Sequence, residues 1–100
     1  MEIKEKYKRL WGFVVCYFGD GYDGKTDKDI VNEALSENSP EYNKEIHQDI
    51  LKFIDDKNFS LAEKHDFLDS CNRYFETKNE IIDWLNLISD LLDVKKQTLV

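Results

Sequence analysis

Apolar residues recur every three or four positions along almost the whole chain, which is the spacing of one face of an α-helix. The first such stripe consists of Ile3, Tyr7, Leu10, Trp11, Val14 and Phe18. Phe13, Val15 and Tyr17 fill the opposite side, so we expect residues 10–18 to be buried on nearly every side. The pattern therefore predicts one helix that ends at Gly19 and lies at the centre of the domain.

Four more stripes follow, and each is preceded by a helix-start signal. Thr26, Ser39, Ser60 and Thr77 stand where N-cap residues are expected, and Pro40 takes the first position of its helix. Ser60 and Thr77 are each followed three residues later by Glu, the spacing of a capping box. The stripes are Ile30, Val31, Ala34 and Leu35; Tyr42, Ile46, Ile50, Phe53 and Ile54; Leu61, Phe67 and Leu68; and Ile81, Trp84, Leu85, Ile88, Leu91 and Leu92. Because no segment shows sustained strand alternation, the fold class is all-α, a single compact bundle of about five helices.

Length and composition fit one small globular domain over residues 1–100. The 100 residues are 41% apolar and 13% aromatic, with only one Pro and four Gly, so a core is within reach of the chain. No apolar run approaches the length of a membrane span and no secretory signal opens the chain, so we expect a cytoplasmic protein. Cys16 and Cys71 do not form a disulfide framework. Cys16 lies in the apolar run 13–18, where a free thiol acts as a small hydrophobic side chain.

The net charge of the chain limits the kinds of molecule that it is expected to bind. The 21 acids and 14 Lys and Arg give a net charge of −7. Residues 10–94 alone hold nineteen acids and eight bases, a net charge of −11. Nucleic acids and anionic membranes are bound by basic surfaces, so the chain is predicted to bind neither. The acidic body serves solubility, or it is a docking surface for a basic protein, and both interpretations stay open.

Residues that catalyse reactions or bind metals are sparse. His47 and His65 lack metal-ligand spacing, and His65 with Asp69 forms an ordinary i,i+4 pair. The acids between Asp20 and Asp29 lie among glycines, but they lack the ligand order and the closing Glu of a calcium loop. No nucleophile elbow or phosphate-binding loop is present. We therefore predict no enzyme activity, no catalytic residues, no metal and no cofactor.

Two segments carry recognisable motifs. Residues 10–12 read Leu-Trp-Gly and lead to residues 17–22, which read Tyr-Phe-Gly-Asp-Gly-Tyr. The second segment contains Thr77, Glu80, Trp84, Leu85, Ile88, Leu91 and Leu92. The first resembles the YF-x-D-x-aromatic element of the small α-helical immunity proteins of contact-dependent growth inhibition systems, and the second is similar to their C-terminal helix. The chain departs from that family at Gly19, where members often carry a polar residue or His, and at Tyr22, where Trp is frequent.

The resemblance implies a cytoplasmic, non-enzymatic inhibitor that binds the C-terminal toxin domain delivered by a neighbouring bacterium. Many of these toxins are nucleases with basic clefts, which suits the acidic body of this chain. The resemblance also implies that the Tyr-Phe and Asp positions determine the fold, whereas toxin-contacting residues differ between members. An alternative is an acidic helical adaptor or regulatory protein that binds a basic protein partner. A small metal-dependent enzyme is a remote third interpretation.

Candidate partner-binding residues lie in the glycine-bearing loop and the helix that follows it: Asp20, Tyr22, Asp23, Asp27, Asp29 and Glu33. Loops and helix starts present carboxylates without core duties, and Tyr combines contact area with a polar tip. Tyr22 is equally suited to anchoring its own loop. The alternative acidic set consists of Asp55, Asp56, Asp66 and Asp69.

Overall fold

The computed structural model describes residues 2–19 and 24–93, and these residues form six α-helices and no β-strand. The helices are α1 (Ile3–Lys6), α2 (Lys8–Phe18), α3 (Asp27–Glu37), α4 (Pro40–Asp55), α5 (Leu61–Ser70) and α6 (Lys78–Leu92). The all-α prediction is confirmed. The number of helices exceeds the expected five because the first predicted helix is divided at Tyr7, whose φ of −115° and ψ of 37° are not helical. Among these helices, none is long and apolar enough to cross a bilayer.

All four predicted cap residues directly precede a helix, and three of them form the expected cap hydrogen bond. Backbone N–H groups donate to the side chains of Thr26, Ser39 and Ser60. The predicted capping box at Ser60 is confirmed, because Glu63 accepts the Ser60 N–H in return. The predicted capping box at Thr77 is wrong, since the Thr77 side chain makes no cap hydrogen bond, although α6 does begin directly after Thr77.

One continuous core joins α2 to α6. Its largest fully buried side chains are Leu10, Phe13, Phe18, Ile46, Ile50, Phe53, Leu68, Ile81, Leu85 and Ile88. Phe18 contacts Trp84 edge-on with ring centroids 5.0 Å apart, and Phe53 contacts Phe67 at 4.9 Å. These aromatic pairs join α2 to α6 and α4 to α5, so residues distant in sequence hold the bundle together.

The prediction that residues 10–18 are buried on nearly every side is wrong for one face of α2. Cys16 is exposed and is not the small buried hydrophobe that was expected. Trp11 and Tyr17 are only half-buried, and the Trp11 indole Nε1 donates to Ser70 Oγ at 3.0 Å. A bundle of this length has too few helices to enclose one of them completely.

Helices α3 and α6 lie side by side and run in the same direction. The Trp84 indole N–H, in the middle of α6, donates at 3.3 Å to Oδ1 of Asp27, the first residue of α3. Near their C-terminal ends, Leu35 and Leu92 line the same groove. Helix α1 packs against α2 and α5. The parallel α3–α6 pair therefore combines the exposed faces of two helices that are distant in sequence.

Candidate partner-binding surface

The three predicted contact residues in α3 already have partners within the protein. Asp27 accepts the indole N–H described above. Asp29 accepts the Thr26 N–H at 3.0 Å in a capping box, and hydrogen bonds from Thr26 hold the pKa of Asp29 below its usual value. Glu33 forms an ion pair with Lys25. All three carboxylates therefore make intramolecular contacts that a docking protein would have to share or replace.

The other three predicted contact residues, Asp20, Tyr22 and Asp23, lie outside the described residues. The residue before them is closely packed: a Cβ on Gly19 would come within 2.9 Å of the Cys71 carbonyl oxygen. Helix α2 therefore ends directly against the end of α5 and the segment that leads to α6.

An acidic surface that sequence reasoning did not single out lies on α6. After Lys78, residues 79–93 contain no Lys, Arg or His. Glu80 and Asp83 are exposed, and neither side-chain carboxylate makes a hydrogen bond or ion pair with the rest of the described chain. The spacing of Glu80, Asp83 and Leu87 places them on one face of the helix, away from the buried stripe. In the sequence, acids alternate with the apolar residues of this segment and no base occurs among them, and this pattern could have indicated an acidic helix face.

Charge is divided unequally between the helices. Helices α3 and α6 together carry seven acids and two bases, whereas α1 and α2 carry four bases and one acid. Arg9 of α2 reaches α4, where its guanidinium bonds Asp49 and Glu45, each at 2.8 Å. These bonds, the one to Asp49 foremost, raise the pKa of Arg9. Arg9 thus neutralises part of the negative charge of α4. The surface formed by α3 and α6, called here the α3–α6 side, keeps a large negative excess.

The alternative acidic set is not one surface. Asp56 is buried, and its Oδ2 accepts hydrogen bonds from Lys6 Nζ at 2.6 Å and from the Tyr7 hydroxyl at 2.7 Å. The Lys6 bond, followed by the Tyr7 bond, holds the pKa of Asp56 far below its usual value. Asp56 therefore anchors the N-terminal segment to the end of α4. Its burial excludes it from an exposed contact surface, whereas Asp55 and Asp66 are exposed.

His65, Asp66 and Asp69 form a group that could hold a metal ion, since one ligand atom from each lies within 4.8 Å of the others. The predicted His65–Asp69 contact is confirmed, with Nδ1 3.6 Å from Oδ2. The other ring nitrogen, Nε2, lies 3.0 Å from the Phe75 carbonyl oxygen. A carbonyl oxygen accepts, so Nε2 is the ring nitrogen that donates the hydrogen bond. The His65 ring therefore links Asp69 of α5 to the backbone of the segment that follows α5, and contacts within the chain account for the arrangement.

Comparison with known proteins does not assign a family: no protein-family model, curated protein or solved structure matches the chain. The surface of the protein and its sequence motifs are therefore the features that bear on its function.

Proposed function

We propose that the protein is a cytoplasmic immunity protein that binds and neutralises the C-terminal toxin domain, of the nuclease class, of a contact-dependent growth inhibition effector. The observation that supports this proposal most directly is the segregation of charge described above. A nuclease cleft is basic because it binds phosphates, and an acidic surface on a small rigid bundle is complementary to it. The motifs at residues 10–22 and 77–92 support the same assignment.

In the proposed mechanism, the protein covers the basic cleft of the toxin domain and catalyses no reaction itself. Long-range attraction between the acidic α3–α6 side and a basic cleft accelerates the encounter of the two proteins and orients them. Carboxylates then contact the cations that would otherwise bind nucleic-acid phosphates. Apolar contacts at the centre of the interface slow dissociation. Such an inhibitor needs no cofactor, no metal and no nucleic acid of its own.

The proposal predicts that the gene directly upstream encodes a large toxin protein, and the test uses the C-terminal domain of that protein. Expression of that domain alone should arrest bacterial growth, and coexpression of this protein should restore it. The two purified proteins should form a complex whose association slows as salt rises. A growth arrest that persists, with no complex on size-exclusion chromatography, would contradict the proposal. Capture of a different basic protein, with no toxin affected, would support the adaptor instead.

A further inference from the structure

We infer that the outer face of α6, with Leu87 at its centre and Glu80 and Asp83 beside it, is the principal contact with the basic face of the toxin domain. This inference rests on the proposed function and specifies which part of the acidic side the toxin contacts. The occupant is a protein surface on which Lys or Arg side chains surround an apolar residue.

The carboxylates of α3 and the first two carboxylates of α6 differ in whether they already have a partner within the protein. Three of the four acids of α3 make the intramolecular contacts described above, and the fourth, Glu37, accepts a hydrogen bond from the Tyr17 hydroxyl, with the two oxygens 2.9 Å apart. Glu80 and Asp83 have no such bond to any described residue. A partner's cation can therefore bind them without breaking an intramolecular contact, so less of the attraction is offset on binding.

The exposed face of α6 has a large apolar side chain at its centre. Leu87 is 45% exposed, and the other large exposed hydrophobic side chains of the described residues are Leu51 and Tyr74. Lys52 follows Leu51 and Arg73 precedes Tyr74, so a cation adjoins each of them in sequence. Leu87 lies in the segment 79–93, which contains no base. An apolar centre with a charged rim is the usual anatomy of a protein interface.

Helix α6 is firmly packed into the bundle. The inner face of α6 is held by Ile81, Leu85 and Ile88, each of which is at most 1% exposed. A face on a helix packed in this way is already ordered before a partner arrives. Little conformational entropy is lost when it docks, and that favours tight binding.

The experiment compares two charge reversals that change the net charge equally. One variant is Glu80→Lys with Asp83→Lys on α6, and its matched control is Glu33→Lys with Glu37→Lys on α3. A third variant, Leu87→Ala, tests the apolar centre. Circular dichroism checks that each remains folded. Dissociation constants for the toxin domain are then measured at about 150 mM salt, where exposed charges separated by more than about 8 Å are largely screened.

We expect the α6 reversal to weaken binding at least about tenfold and the α3 reversal less than about threefold, because direct contacts survive screening better than distant charges. Leu87→Ala should accelerate dissociation and leave the salt dependence unchanged. Wild-type protein that does not bind the toxin domain would contradict the proposed function and this inference together. Wild-type protein that binds, with the α3 reversal as damaging as the α6 reversal or with neither damaging, would overturn this inference alone.

Discussion

The same substitution at two glycines near α2 should change stability in opposite directions. Gly12 is an exposed position inside the helix, where a new Cβ would meet nothing within 4 Å. Alanine there removes the helix-interior cost of glycine, so Gly12→Ala should stabilise the protein by about 0.5–1 kcal/mol. At Gly19 a Cβ would lie 2.6 Å from the Val15 carbonyl oxygen and 2.9 Å from that of Cys71. Both oxygens belong to backbone, so Gly19→Ala should destabilise the protein by about 1–3 kcal/mol, the usual cost of overpacking.

Thermal unfolding followed by circular dichroism distinguishes these effects. For a domain of this size about 1 kcal/mol corresponds to a shift in Tm of about 4–8 °C, so the two variants should melt on opposite sides of the parent. Gly12→Ala also serves as the control, because it makes the identical chemical change without a steric conflict. A Gly19→Ala protein as stable as Gly12→Ala would show that the close approach of α2 to Cys71 is not required by the fold.

Two further predictions concern buried polar groups. Asp56→Asn should destabilise the protein at neutral pH by removing the charged acceptor of Lys6. Because the pKa of Asp56 is lowered by folding, its contribution is present above about pH 4 and is lost as the pH falls below that value, so denaturant unfolding should show the two proteins converging in acid. Burial raises the pKa of the Cys71 thiol to about 12, whereas Cys16 is exposed. A thiol reagent at about pH 8 should therefore modify one cysteine in the folded protein and two in denaturant.

An Asp56→Asn protein whose deficit in stability is the same at neutral and acidic pH would show that the charge of Asp56 is not what stabilises the contact. Rapid modification of both thiols in the folded protein would show that Cys71 is not buried.

Several elements were predictable from short stretches of sequence. Thr26, Ser39 and Ser60 begin their helices as expected because a cap depends only on the residue itself and the next three. Thr77 precedes a helix without capping it, although its spacing to Glu80 is the same. Spacing shows that a cap bond is possible, and the local backbone and surroundings determine whether the bond forms.

Sequence alone determined the helical class, most helix boundaries and the negative charge of the body, because these depend on composition and on neighbours within a turn or two. Tertiary structure alone decided which acids are available to a partner. Asp56 is buried where Tyr7, 49 residues away in sequence, donates a hydrogen bond to it, and α3 contacts α6 through two residues that are 57 apart. Contacts over such separations depend on how whole helices pack, and no local pattern encodes them. The acidic face of α6 was visible as a charge pattern, but its place beside α3 required the packed bundle.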